Sequence, residues 1–270
     1  MSAADAPQTL EGSWVLHEVF AVDWPRWRAA PEPDRRRILD EAVTLLTGVL
    51  TPQGPEGSAA LYHVLTGKGD LGLVLVRPEA AALWELELAV EKLALGDFMR
   101  LTWSYLSVVE LSRHAADALA DDNPVLQARL HPVLPATAFA CFYPMNKRRG
   151  EQVNWYDLTA AERRSLMAEH GRVGHRHADR VTQIVSGSQG LDDWEWAVDL
   201  FAEDPVHFKR LIYEMRFDPA SARYAEFGPF IVGRRLKVAE LPGFLAPPEP
   251  GARGAAGSAA PAPRARRSRS

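Results

Sequence analysis

Tyr143 closes an apolar run, Ala136-Thr-Ala-Phe-Ala-Cys-Phe-Tyr, and is followed at once by Pro144 and then by the basic trio Lys147, Arg148 and Arg149. Because proline cannot donate to a strand ladder, the spacing predicts a strand that breaks at Pro144 and leaves the phenol at its edge beside cations. That setting suits an anionic ligand. A core tyrosine beside a solvated basic loop fits the same residues. His170 offers a metal-directed chemistry. It falls in the last turn of a helix predicted over 159–170, opened by the capping box Thr159 and Glu162 and stopped by Gly171. Leu166 and Met167 share its face, where a neutral imidazole can ligate iron; a histidine that caps the final carbonyls fits as well. In a strand over 180–185, Val181 and Val185 share the face of Gln183, so that amide needs a partner, either a ligand or a neighbouring main chain. His175 and His177 form an H-x-H expected on one face of a strand, but no third ligand accompanies them, and they read as surface residues.

The elements that must position these groups come twice. At a constant offset of 120, His63-Val-Leu-Thr-Gly67 falls over Gln183-Ile-Val-Ser-Gly187, and Leu71 falls over Leu191 without a gap. Helices are expected over 34–46 and 80–95 in the first half and over 159–170 and 205–215 in the second. Strand-like runs flank them at 14–22, 105–111, 136–143 and 229–233. Each half therefore reads β-α-β-β-α-β, the split βαβ or ferredoxin-like arrangement. The fold class is α+β, with two such sheets packed face to face or closed into one barrel. The expected divisions are a flexible N-terminus (1–10), a first half (11–118), a connection (119–135), a second half carrying the candidate residues (136–245) and a tail (246–270).

With 270 residues and 47% hydrophobic content, the chain can bury an ordinary globular core, which excludes disorder throughout. No stretch approaches 18 uncharged apolar residues, and Met1–Gly12 has neither a basic start nor an apolar core. The expectation is a cytoplasmic protein with no membrane partner and no secretory signal. Cys141 is the only cysteine, which excludes an intrachain disulfide, a zinc-finger cluster and a thiolate-held iron–sulfur site. Any metal must be held by histidine, carboxylate or a prosthetic group. The net charge of −4 is uneven: from Ala246 onward five arginines face one acid, so the body carries about −8. The Pro, Ala, Gly and Ser tail is expected to be disordered, and the acidic body argues against nucleic acid as the main partner.

From Arg129 to Arg234 the residues resemble the coproheme decarboxylases of the chlorite dismutase-like superfamily, in the form typical of firmicutes. The resemblance is carried by ARLHPVLP, CFYPMNKRRG, NWYDL, ERRSLMAEHGRVG, VTQIVSGSQGLDDWEWAVDLF and FKRLIYEMRFDPASARYAEFGPFIVG, with weaker similarity in GSWVLHEVFAVDW and TWSYLSVVELS. It implies an α+β barrel formed within one chain from two ferredoxin-like halves, in agreement with the repeat, and a homopentamer. It also implies roles. His170 becomes the proximal ligand of the iron in Fe-coproporphyrin III (coproheme), Gln183 lies on the distal side, and Tyr143 is redox-active. Arg129, Tyr143, Pro144, Met145, Asn146, Lys147 and Ser221 bind the propionates, with Lys147 near the reacting one. The implied reaction is two successive decarboxylations driven by hydrogen peroxide, through a three-propionate monovinyl intermediate to haem b, so that the substrate is its own redox cofactor. A transient contact with coproporphyrin ferrochelatase belongs to the same reading. Two alternatives stay open: a chlorite dismutase, whose distal arginine falls where this chain has Gln183, and a haem-binding or haem-transfer protein without turnover. His131 adds a second titratable group near Arg129 and receives no role.

Overall fold

Apolar residues that alternate along strands, and recur every three to four residues along helices, give this chain its layers. The computed structural model describes residues 8–54, 56–112 and 122–247. The first half comprises β1 (Thr9–Val22), α1 (Trp24–Ala29), α2 (Glu32–Leu50), β2 (Ser58–Val64), β3 (Leu71–Arg77), α3 (Ala80–Glu91) and β4 (Met99–Ser112). After α4 (Pro124–Leu130), the second half runs through β5 (Phe139–Lys147), α5 (Ala160–His175), β6 (Thr182–Gly187), β7 (Trp196–Ala202), α6 (Val206–Met215), α7 (Pro219–Tyr224), β8 (Ala225–Phe227) and β9 (Ile231–Leu236). The short helix α8 (Leu241–Phe244) follows. The chain is mixed α+β, as expected. The N-terminal residues 1–7, the start of the expected connection and nearly all of the tail lie outside the described residues.

The strands run in the order β7-β6-β4-β1-β3-β2-β9-β5, and β5 pairs back onto β7, so the two four-stranded sheets close into one antiparallel barrel. The seams between the halves are short. One is β4 against β6 at Val108 and Val109, and the other is β2 against β9 over Leu61 to Val64. Side chains inside the barrel reinforce them. Ser186 donates to Ser107 at 2.7 Å, Tyr105 bonds Ser188, and His17 of β1 meets both carboxylate oxygens of Asp199 in β7, at 2.9 and 3.1 Å.

Helices cover the outer face of each sheet. In the first half Leu16, Leu73 and Leu75 pack against Ile38, Ala42 and Leu46 of α2, and the layer is closed by Trp27, Leu241 and Leu245, all fully buried. The Trp27 indole donates to the Leu245 carbonyl at 2.7 Å. This half is thus packed solid by α1 and α8. In the second half, among the described residues, no equivalent plug joins the cluster formed by Cys141, Tyr143, Val198 and Leu200 with Val173, Phe208 and Met215.

Two expectations are corrected here. Leu71 does not match Leu191, because the loop from Ser188 to Glu195 intervenes before β7; Gly190 turns it with φ +80°. The helix expected over 80–95 ends at Glu91, and Ala94–Phe98 forms a 3-10 turn instead.

Glu18 stands on the helix-facing side of β1, buried, and its Oε2 has no hydrogen-bond partner among the described residues. Burial first, then the charges of Glu87 and Glu91, push its carboxyl up to about 7 from an ordinary 4.5. A raised folded-state value means that stability falls as pH rises from about 4.5 through 7, since the unfolded chain releases the proton first. Glu18→Gln should therefore stabilise the protein by about 2 kcal/mol at pH 8 and by little at pH 4, read by urea unfolding. Equal effects at the two pH values would show that the carboxyl ionises freely in the fold.

Candidate active site

The side chains of interest gather on the outer face of the second-half sheet, beneath α5 and α6. Alternation along β5 sends Cys141 and Tyr143 to this face, with Met145 and Lys147 in the same phase, while Phe142 points into the barrel. Tyr143 lies opposite Val198 of β7, and Gln183 of β6 opposite Leu200. Gln183 shares its side of the strand with Val185, which belongs to this cluster, whereas Ile184 packs inside the barrel. Gln183 is exposed.

Tyr143 is buried, not set at a strand end. The strand continues through Pro144 to Lys147, which corrects the expected break. On one edge β5 pairs with β9 as far as Phe142 and with β8 only from Met145, so Pro144 sits between two partners, where its missing N–H costs no ladder bond. Its carbonyl still accepts from Gly228 N–H at 2.9 Å. The Tyr143 ring stacks on Phe230 with centroids 4.6 Å apart and lies 5.7 Å from Phe227, over which the Arg216 guanidinium sits at 4.0 Å. Burial above all, with Cys141 and Asp199 adding to it and Arg216 opposing, holds the phenol proton far more tightly than usual. The Cys141 thiol is likewise pushed up to about 12 by burial.

His170 is carried by α5, whose N-terminus has the predicted capping box of Thr159 and Glu162. Gly171 does not end the helix. It continues to His175; a side chain at Gly171 would meet nothing within 4 Å, and one at Gly174 would touch Met215 at 3.4 Å. His170 Nδ1 lies 2.8 Å from Asp218 Oδ2 and 3.4 Å from Ser221 Oγ. Asp218 is the N-cap of α7, accepting from Ala220 N–H and Ser221 N–H, and is buried. Burial works against its charge, but the hydrogen bonds from Ser221 and His170 prevail and hold the carboxyl below its usual range. With Nδ1–H donating to this carboxylate, the Nε2 lone pair is left for a ligand, an arrangement common to metal-bound histidines. Lys147 completes the group: its ammonium sits 4.3 Å over the Trp155 ring, and burial lowers it to about 8 against the opposing pull of Asp218 and Glu195.

The structure thus brings Tyr143, Met145, Lys147, His170, Gln183 and Ser221 to one side of the second half. Pro144 and Asn146 alternate away, and the Asn146 side chain accepts from Glu195 N–H at 2.8 Å. Arg129 stands exposed on α4, and His131 beside it meets Ser13 at 2.9 Å. The H-x-H is not on a strand: His175 ends α5, and His177, buried in the following turn, lies 3.1 Å from Glu214. Two residues here escaped the sequence reading. Asp218 had a signal, an N-cap aspartate directly before Pro219, whereas Arg216 had none.

Chemically this is a single imidazole donor backed by a carboxylate, with the Lys147 and Arg216 cations and a buried phenol in the same half. Among the described residues no group of three or more His, Cys, Asp and Glu side chains is placed to hold a metal ion. A single histidine donor with nearby cations fits an iron whose other ligands come from a carboxylate-bearing macrocycle.

The chain is similar to several known proteins. A coproheme decarboxylase from Staphylococcus carnosus (strain TM300) is 44% identical over 246 residues, 90% of this chain and 99% of that protein. A heme-binding protein from Thermus thermophilus is also 44% identical, with a TM-score of 0.85 over 89% of this chain and 98% of the other. A variant chlorite dismutase from Candidatus Nitrospira defluvii shares the fold at 18% identity, with a TM-score of 0.71 over 87% of this chain and 96% of the other. The family model described as chlorite dismutase matches residues 35–236, and with relatives this similar over nearly its whole length the chain belongs to the chlorite dismutase family.

Proposed function

We propose that this protein is a coproheme decarboxylase, converting Fe-coproporphyrin III to haem b in two steps. The observation that carries the reading is His170 backed by buried Asp218 on the same face as the buried phenol of Tyr143 and the ammonium of Lys147. The close similarity to a coproheme decarboxylase supports it. Each step turns one propionate into a vinyl group: propionate, hydrogen peroxide and one proton give vinyl, carbon dioxide and two waters. The iron porphyrin supplies the redox chemistry with peroxide when bound.

The chain's residues do the rest. His170 would hold the iron through Nε2, and Asp218 fixes its ring and raises its basicity. Lys147, Arg129, Arg216 and Ser221 would meet propionate oxygens with charge-assisted hydrogen bonds, and because the Lys147 N–H is already held by Glu195 Oε2, the ammonium is the donor that Lys147 has left for them. Tyr143 passes the oxidising equivalent to the propionate beside it. Burial keeps it a neutral phenol at working pH, so its oxidation must be coupled to loss of the phenol proton. Anchoring the carboxylate next to this ring is a positioning effect. Gln183 supplies a neutral amide where chlorite chemistry would call for a cation to hold an oxychlorine anion.

Lys147 gives a pH test. It acts here as a cation, and in the unloaded protein burial lowers it to about 8, so kcat/KM for coproheme should fall as pH rises through about 8. Lys147→Arg, which stays charged, should lose that limb. Persistence of the limb in Lys147→Arg would assign it to another group. The finer reading also comprises a cytoplasmic homopentamer and a transient contact with coproporphyrin ferrochelatase. Among the described residues no helix is long and apolar enough to cross a membrane. To separate this function from chlorite chemistry, coproheme-loaded protein should be given chlorite or peroxide in parallel. Vinyl products with peroxide and no dioxygen from chlorite are expected; dioxygen from chlorite with untouched coproheme would overturn the assignment.

A further inference from the structure

Glu195 sits at the end of the loop before β7 and is 8% exposed. Its Oε2 accepts the main-chain N–H of Lys147 at 2.8 Å, and its Oε1 lies 3.6 Å from the Arg149 guanidinium. Its own N–H donates to Asn146 Oδ1 at 2.8 Å, and its carbonyl accepts from Ser188 N–H, also at 2.8 Å. Burial and then the same carboxylate raise the proton affinity of the Tyr156 phenol on the 3-10 turn Trp155–Asp157, the turn that also supplies the Trp155 ring under the Lys147 ammonium. One buried carboxylate therefore ties together the last residues of β5, the turn that faces them and the entry to β7. A buried charge left without these donors would be costly, so the donors are held as firmly as the acid.

We infer that Glu195 is a positioning residue for Lys147, fixing the end of β5 and the Trp155 turn so that the ammonium meets the reacting propionate. This rests on the decarboxylase reading, which supplies the role of Lys147. Lys147 sits on a strand end with a long flexible stem, and the Glu195 carboxylate is what anchors its main-chain N–H. A misplacement of about 1 Å at a reacting group can cost about 10²-fold in rate.

The test uses full-length protein loaded with coproheme. Glu195→Ala should lower kcat by about 30-fold to 100-fold while the Kd for coproheme and the KM for peroxide stay within about threefold. Glu195→Gln, which keeps an acceptor for the Lys147 N–H, should recover most of the rate. In parallel, labelling by an amine-selective acylating reagent, read by mass spectrometry at Lys147 in the unloaded protein, should speed up by about tenfold in Glu195→Ala. Unchanged kcat and unchanged labelling overturn the inference, as does a parallel loss of coproheme binding and of thermal stability, which marks a merely structural role. A wild type that binds coproheme without turnover overturns the decarboxylase reading instead, and the labelling then decides whether Glu195 holds Lys147.

Discussion

Tyr143→Phe is expected to retain coproheme binding within about threefold and to lose decarboxylation by about 10³-fold or more. The substitution removes one oxygen from a ring already packed on Phe230 and bordered by Phe227, so neither the packing nor the wall of the site should change. What disappears is the O–H. Its proton is held tightly by burial, which makes proton-coupled oxidation the route open to this residue and direct formation of a tyrosinate unfavourable. Peroxide should still react with the bound iron porphyrin, so the variant should consume peroxide and leave the propionates intact. Full activity in Tyr143→Phe would remove the phenol from the reaction.

The second large effect concerns stability. His17 and Asp199 are each 3% exposed and join the two halves inside the barrel, across 182 positions of sequence. Removing one partner of a buried hydrogen bond leaves the other's polar group unsatisfied and costs about 1–3 kcal/mol, whereas replacing both with apolar residues of similar shape can be nearly neutral. Asp199→Ala should therefore destabilise the fold by about that amount in urea, and His17→Leu with Asp199→Leu should recover most of it. The coupling measured by that cycle should exceed about 1 kcal/mol. Additive single effects would show that the pair contributes no joint stabilisation. The consequence reaches the site, since Asp199 lies between Val198 and Leu200, which face Tyr143 and Gln183 across the sheet.

Much of this was legible from local signals. The capping box at Thr159 and Glu162, the alternation around Tyr143 and Gln183 and the duplicated element order each depend on residues within a few positions of one another, and each is present. The misreadings have the same origin. Pro144 reads as a strand stop from sequence, yet the strand passes through it because the neighbouring partner changes from β9 to β8 at that point, a fact fixed by distant residues. Gly171 reads as a helix end, but nothing crowds it, and the tertiary contact of Val173 with the second-half cluster carries the helix another turn. Partners set by folding alone could not be read. Asp218 lies 48 residues from His170, Glu195 lies 48 from Lys147, and Arg216 stacks over Phe227 beside Tyr143. The acid behind the histidine is therefore a product of the barrel, while the histidine itself was visible in the helix.

If the porphyrin carboxylates are the reacting groups, their loss can be weighed. The most direct measurement mixes purified protein with coproheme, titrates with hydrogen peroxide and follows the mass of the porphyrin. Two successive losses are predicted, each of one carbon dioxide and two hydrogens, with the three-propionate species appearing first and haem b last. An unchanged porphyrin mass with coproheme fully bound would contradict the account.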